Sequence, residues 1–557
     1  MDLQRLFLFL IFVFSLGLVW DGWQRHQHPE QYVQQSATIS EALPKTQAIP
    51  PAVSSQAALP AVELTQAAIT QQSVQQPAGN TIQVKTDVLE AEISTIGGDI
   101  IRLDLLKHPD GQDKSKPLVL FQRGAGTHNY VAQSGLLGAG QPNHNSPFSF
   151  EQDRYELSGN DEQIQVRLKA EGEYALKVTK VITFHKGSYL VDVAYELENA
   201  GQQAVAASSY FQLIRDSAAL AGSSMFLPTY VGAAVYTDKE KFQKVEFSEI
   251  EKGKTEYPKQ ANDGWIGVLQ HYFAAVWLPK EDTNREYFTR KLDGDAYSVG
   301  VILPEQVVNP GQKVLMGTAL YAGPAESDLD KIAPGLGLTV DYGWLTVLSA
   351  PLFWVMALFN DWTHNWGIAI ILLTVLIKLV FFPLSAASYR SMAKMRVVAP
   401  KLEKIRQQYG SDREKLNRAM MELYKTEKIN PLGGCLPVLV QIPVFIALYW
   451  AILASVEMRY APFFGWITDL SAADPYYILP LIMGASMIIQ MRLNPKPADP
   501  MQARIMQIMP IAFSVIFFFF PAGLVLYSIV NNILSIGQQW YITKAAEDES
   551  KAAAAKR

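Results

Sequence analysis

One cysteine, Cys435, is all that the 557 residues contain. No intramolecular disulfide can form, and the compartment stays open, because an extracytoplasmic domain need not carry disulfides. Nucleotide motifs are missing as well: there is neither a P-loop nor a Rossmann glycine pattern, which argues against nucleotide hydrolysis. The eight histidines have no metal-ligand spacing, so no metal site and no cofactor is expected. Positive charge is not in excess. Lys and Arg number 48 against 53 Asp and Glu, a net charge of −5, which disfavours general nucleic-acid binding. Acidic residues are absent from the long apolar runs after residue 362, and residues 80–335 show no obvious paired-carboxylate motif. No catalytic residues are therefore assigned, and the chain is not expected to be an enzyme.

What is present divides into unlike parts. Leu6 to Trp20 is apolar behind Arg5, and Trp20-Asp21-Gly22-Trp23 stands where a small-residue cleavage site would be. This reads as an uncleaved signal anchor over 1–23. Residues 24–79 are rich in Gln, Ala, Pro and Ser without apolar period, the composition of a disordered tether. From about residue 80 the pattern is that of strands. Ile82, Val84, Thr86 and Val88 alternate, a Gly97-Gly98 turn follows, and 175–184 and 189–197 alternate on either side of His185-Lys-Gly-Ser, a hairpin signature. Strands without intervening helices predict an antiparallel sandwich over 80–338. Residues 339–362, apolar with Trp344, Trp354, Trp362 and Pro351, predict an interfacial amphipathic helix.

Beyond it lie apolar segments 363–383, 435–455, 476–491, 507–520 and 524–541, ahead of a tail at 542–557. With the anchor they make six spans. Between Leu384 and Pro437 the chain carries eleven basic residues, among them Arg390, Lys394, Arg396, Lys401 and Lys404, which makes this segment cytoplasmic. Alternation then puts 24–350 outside and both termini in the cytoplasm. Apolar residues at three- and four-residue steps from Ala386, a stop at Gly410 and a capping box at Ser411–Glu414 predict a helical hairpin over 386–429. Its basic faces suit anionic lipid headgroups or ribosomal RNA. The fold class expected is thus a polytopic α-helical membrane protein carrying an all-β external domain.

One residue in the apolar runs calls for a functional explanation. Lys378 sits inside Trp366 to Pro383, with Thr374 one turn earlier on the same face. An ammonium at the bilayer centre costs roughly 2.5–3.5 kcal/mol or more, so such a residue marks a site by default. Snorkelling toward the interface is the bland alternative. Gln441, Tyr527, Ser528, Asn531 and Asn532 add polar groups in later spans; each singly fits an interhelical hydrogen bond. Together they predict a hydrated, cationic groove that lowers the barrier to moving a short acidic segment across the bilayer.

The runs TVDYGWL (339–345), NWG (365–367), SMAKMR (391–396), NPLGGC (430–435), DPYYILP (474–480), DPMQ (499–502) and GLVLY (523–527) resemble the YidC membrane protein insertases of Gram-negative bacteria, and the resemblance covers essentially the whole chain. It implies an inner-membrane insertase and chaperone that accepts nascent membrane proteins, alone or beside the Sec translocon. It also implies a five-helix core whose hydrophilic groove opens to cytoplasm and lipid, and a periplasmic β-supersandwich. The family's groove charge is usually arginine; Lys378 takes that position, keeping the charge but not the bidentate fork. Tyr527 matches the family's sixth span, while Ser528 stands where a second aromatic is common. The short basic-ended tail, Lys556-Arg557, implies weak, transient contact with the ribosome. A small-solute transporter or channel is the alternative from another class, although no internal repeat of the transporter kind is visible. A membrane-anchored carbohydrate enzyme is a third.

Overall fold

The computed structural model describes residues 79–555 except 112, 125–128, 219–229, 327, 411, 428–435, 495–507, 510 and 513. The expected anchor and tether, Cys435 and most of the 492–506 loop lie outside the described residues, and segment 507–520 is covered in part.

The strand pattern builds two sheets, one of eleven strands and one of eight among the described residues, nearly all antiparallel. In Thr81–Lys85, Ile82 and Val84 are buried while Thr81, Gln83 and Lys85 face solvent, the period-two consequence of a pleated strand over a core. It pairs antiparallel with Leu89–Ser94, Val84 opposite Ala91. The expected hairpin forms between Leu176–His185 and Leu190–Asn199, with Phe184 opposite Val191. Gly187, at φ +65°, makes its turn possible. Gly97 and Gly98 also have positive φ, and a Cβ on Gly97 would stand 2.3 Å from His144 O. Side chains from both sheets, including Phe121, Tyr195, Phe211 and Trp277, close one continuous core. A single helical turn, α1 (Phe247–Glu251), lies among the strands.

Two 3₁₀ turns, Leu336–Thr339 and Gly343–Leu345, lead into α2 (Thr346–Thr363), so the expected interfacial element becomes regular helix only from 346. Val347, Trp354 and Trp362 point outward, whereas Ser349, Phe353 and Met356 are buried, a one-sided distribution. α3 (Trp366–Val380) is capped by Asn365, whose side chain accepts from Ile368 N at 3.1 Å. At Phe381 the axis bends by 66° into α4 (Phe382–Tyr409), with Pro383 in the first turn of the new helix. α5 (Arg413–Thr426) follows and packs on α4 through Val398, Leu402, Met395, Met420 and Leu423. Its N-cap is Asp412 rather than the expected Ser411: the carboxylate accepts from Glu414 N at 3.2 Å and Lys415 N at 3.1 Å. α6 (Leu436–Ala454), α7 (Ile478–Arg492), the helical residues 508–509, 511–512 and 514–517, and α8 (Ala522–Ala555) complete the bundle; α8 runs without a break past the expected end of its span at 541. Ile370, Leu373, Leu448, Ile452, Met483 and Val525 form the bundle core.

Among the described residues no single helix is long and apolar enough to cross a membrane by itself; the bent pair α3–α4 passes that test together.

The sandwich and the bundle meet through the end of α6 and the 455–477 loop. His271 contacts Leu453 O at 2.9 Å, and Tyr460 donates to Asp110 O at 2.7 Å. The Arg459 guanidinium lies over the Tyr460 and Phe273 rings. Burial pushes the His271 imidazole down to about 4 and the Glu457 carboxyl up to about 7, the latter helped by nearby Glu326 and Asp328.

Candidate functional site

The site is assembled where α3 packs on α8. The apolar face of α3 (Gly367, Ala369, Ile370, Leu373) binds it to the bundle, and this places Thr374 and Lys378 toward the neighbouring helices. Lys378 Nζ donates to Ser535 Oγ at 2.7 Å. Ser535 in turn donates to Asn531 O at 2.7 Å. Lys378 is half-buried and has no carboxylate partner among the described residues; the neutral Ser535 hydroxyl accepts one of its protons.

Asn531 and Tyr527 continue from Ser535 along α8 at four-residue steps, which puts all three on one face. The column is enclosed: Tyr527 is 1% exposed, Asn531 6% and Ser535 2%. The Asn531 amide makes no hydrogen bond among the described residues. Tyr527 Oη lies near the Gln441 side chain of α6 without reaching hydrogen-bond geometry, and its ring packs at 6.4 Å from that of Phe445. Thr374 and Ser528 are buried too and spend their protons on their own helices, on Ile370 O at 2.7 Å and Leu524 O at 2.9 Å. Each hydroxyl oxygen thereby keeps lone pairs free to accept. Asn532 looks away from the column and binds Ser486 Oγ of α7 at 3.1 Å, an interhelical tie of the ordinary kind.

Of the expected groove residues, then, Lys378, Tyr527 and Asn531 belong to one polar column with Gln441 at its side. Thr374 and Ser528 are bonded into their own helices. Ser535, and Tyr389 of α4 beside it, were not anticipated. The signal was in the four-residue spacing from Tyr527 through Asn531, which leads to Ser535.

The basic hairpin residues divide. Arg390, Lys394 and Lys404 are exposed. Lys401 pairs with Glu427 at 2.6 Å, bridging α4 to the end of α5. Arg396 is turned inward and donates to Leu493 O at the C-terminus of α7, a carbonyl that also accepts from Gln539 at 3.2 Å. It anchors the hairpin rather than presenting a free cation.

A second concentration of polar groups lies inside the sandwich. Asp99 is sealed from solvent, 2.9 Å from Gln133 Nε2 and 3.5 Å from Arg123; Lys180 donates to Gly97 O at 2.8 Å. Burial pushes Asp99 up to about 7 and Lys180 down to about 8. With no route for a substrate to either, the pair is an internal brace. Among the described residues no three His, Cys, Asp or Glu side chains are grouped to hold a metal ion.

Comparison with known proteins fits this division of the chain. Residues 81–355 match the family described as "YidC periplasmic domain", and residues 358–549 match "60Kd inner membrane protein". A membrane protein insertase YidC of Nitrosospira multiformis is 53% identical over 557 residues, covering 98% of each chain. One of Methylobacillus flagellatus is 51% identical, covering 100% of this chain and 99% of that one. Among solved structures, an active YidC insertase with its first transmembrane domain resolved covers 84% of this chain and 93% of its own, at 18% identity and a TM-score of 0.39.

Proposed function

Because the chain belongs to the YidC family of membrane protein insertases, we propose that its polar column is where a client's hydrophilic segment is received on its way across the membrane. The protein is an inner-membrane insertase with a largely β periplasmic domain, and its substrates are nascent membrane proteins.

The chain has six spans with both termini in the cytoplasm, and its five-helix core holds a groove open to cytoplasm and lipid. Lys378 supplies positive potential and attracts acidic residues of the translocating segment, while Thr374, Gln441, Tyr527, Ser528 and Asn531 exchange hydrogen bonds with it. Arg390, Lys394 and Lys404 on the hairpin meet lipid headgroups or the ribosome, and the Sec translocon is a partner for part of the clients. The observation that carries this reading is the Lys378 ammonium, bonded to the Ser535 hydroxyl with no carboxylate partner among the described residues. A half-buried cation lacking a fixed counter-ion favours a negative visitor. Helix length supports it: α3 and α7 have 15 residues each, about 22 Å at about 1.5 Å per residue, against a hydrocarbon core of about 30 Å. Short spans thin the bilayer around them, and a thinner, polar-lined path lowers the barrier without fuel.

The test is reconstituted insertion of two clients that differ only in the charge of the translocated tail. Lys378→Glu impairs the acidic-tailed client, whereas Lys378→Arg, which keeps the charge, is tolerated. Equal insertion by the Glu variant would refute the role. No observation favours the solute-transporter or channel reading. Removing residues 80–320 and finding insertion intact would dispose of a carbohydrate activity as the basis of function.

A further inference from the structure

Charge alone does not say where along the column a client is read. A lysine side chain is a flexible stem with a compact charge and lacks the rigid fork of arginine. Unrestrained at the end of a short apolar helix, it would snorkel toward the interface. Lys378 instead turns inward, to a hydroxyl that lies on a different helix and 157 residues away in sequence.

That hydroxyl is itself oriented. The Ser535 proton is committed to Asn531 O one turn back, so the oxygen presents its lone pairs outward. The Tyr389 phenol of α4 lies beside the same oxygen, and Ser535 is 2% exposed, so the acceptor has little freedom to move. Thr374 and Ser528 are back-bonded in the same way, yet neither accepts from a cation. An ammonium has three donors; Ser535 takes one and two remain for an incoming carboxylate.

We infer that Ser535 is a positioning residue for insertion: its back-bonded hydroxyl holds the Lys378 ammonium at one height on α8 and thereby sets the register at which an acidic residue of the client is recognised. The inference rests on the proposed role of Lys378 and adds positional selectivity to it. Lys378 decides that an acid is preferred; Ser535 decides where in the segment the acid must be.

The experiment uses the full chain in proteoliposomes and a client series in which a single Asp is walked through the translocated segment, with an Asp-free client as control. The wild-type protein shows a sharp optimum. Ser535→Ala flattens the optimum and lowers insertion at its peak by about 10-fold, the low end of what a hydrogen bond to a charged group supplies, while the Asp-free client stays within about 2-fold. Ser535→Thr, which keeps the hydroxyl and its back-bond, restores the optimum. Lys378→Gln, run in parallel, abolishes the Asp preference. If Lys378→Gln keeps that preference, the role of Lys378 fails and this inference with it. If Lys378→Gln abolishes it while Ser535→Ala retains the wild-type optimum, only the Ser535 inference is overturned. Equal losses for Asp-bearing and Asp-free clients, without rescue by Thr, would make Ser535 a packing residue and overturn it as well.

Discussion

At the scale of single residues the account turns on which buried polar groups are tied to their own helix and which are not. Thr374, Ser528 and Ser535 all satisfy their protons by back-bonding, but Ser535 alone of the three has a cation at its oxygen. The Asn531 amide is enclosed without a partner among the described residues, and replacing it should be felt by clients more than by the fold. Asn531→Leu is expected to leave the melting temperature within a few degrees, because no hydrogen bond is broken, and to slow insertion of clients with polar tails. Asn532→Leu should do the reverse: it removes the bond to Ser486 and costs about 0.6–2 kcal/mol of bundle stability with little effect on client choice. Thermal unfolding in detergent, paired with insertion of one polar-tailed client, separates the two. Lys378 and Asn531 were legible in the sequence because ionisable and amide groups are conspicuous among apolar residues. Ser535 was legible only as a spacing, four residues beyond Asn531, and its role appears when folding brings Lys378 to it.

At the scale of elements, the hairpin α4–α5 is fixed at its turn and midway along α4. Asp412 caps α5, and Arg396 fixes α4 to the C-terminus of α7 through Leu493 O. Asp412→Ala is expected to cost about 1 kcal/mol and to fray only the first turn of α5. Arg396→Ala leaves a helix-end carbonyl with one donor fewer, and amide exchange should quicken along α4, with the sandwich unaffected. Hydrogen exchange by peptide mass measures both; protection of α4 unchanged by Arg396→Ala would show that the contact does not anchor it. The helices were readable from apolar spacing, and the strands from alternation such as Ile82 and Val84. Boundaries were less so. Ser411 and Asp412 are both good caps, and the choice between them depends on which backbone amides come within reach. The bend at Phe381 depends on how α3 and α4 pack, although Pro383 hinted at it. The division of the basic residues was hidden as well, since Arg396 and Lys394 look alike until the end of α7 is placed beside one of them.

At the scale of the whole molecule, contacts of His271, Arg459 and Tyr460 join the periplasmic sandwich to the bundle. Glu457 is the pH-sensitive member. Its carboxyl is raised to about 7, mainly by burial, so the folded protein keeps a proton that the unfolded chain releases near the ordinary carboxylate range. Its contribution is therefore fully present at low pH and is lost as pH rises through about 7. Glu457→Gln, which stays neutral, should match the wild type near pH 4 and gain thermal stability relative to it as the pH is raised to 8. A constant difference across that range would mean the carboxyl is not buried at the joint. Two-sheet architecture and the split between sandwich and bundle were plain from composition, because alternating strands and long apolar runs do not mix in this chain. How the two halves touch was not, since His271, Arg459 and Tyr460 carry no signal until both are folded.

The central claim, that a client's acidic segment passes along the α3–α8 column, is tested most directly by photocrosslinking a stalled nascent chain in membranes. A crosslinking side chain is introduced at Gln441 or Asn531 in the column, and at Leu481, exposed on the outer surface of α7, as reference. The account predicts strong crosslinks from the column positions to the acidic stretch of the client, weakened by Lys378→Glu, and weak ones from 481. Crosslinks as strong from 481 as from the column, and indifferent to Lys378→Glu, would contradict it.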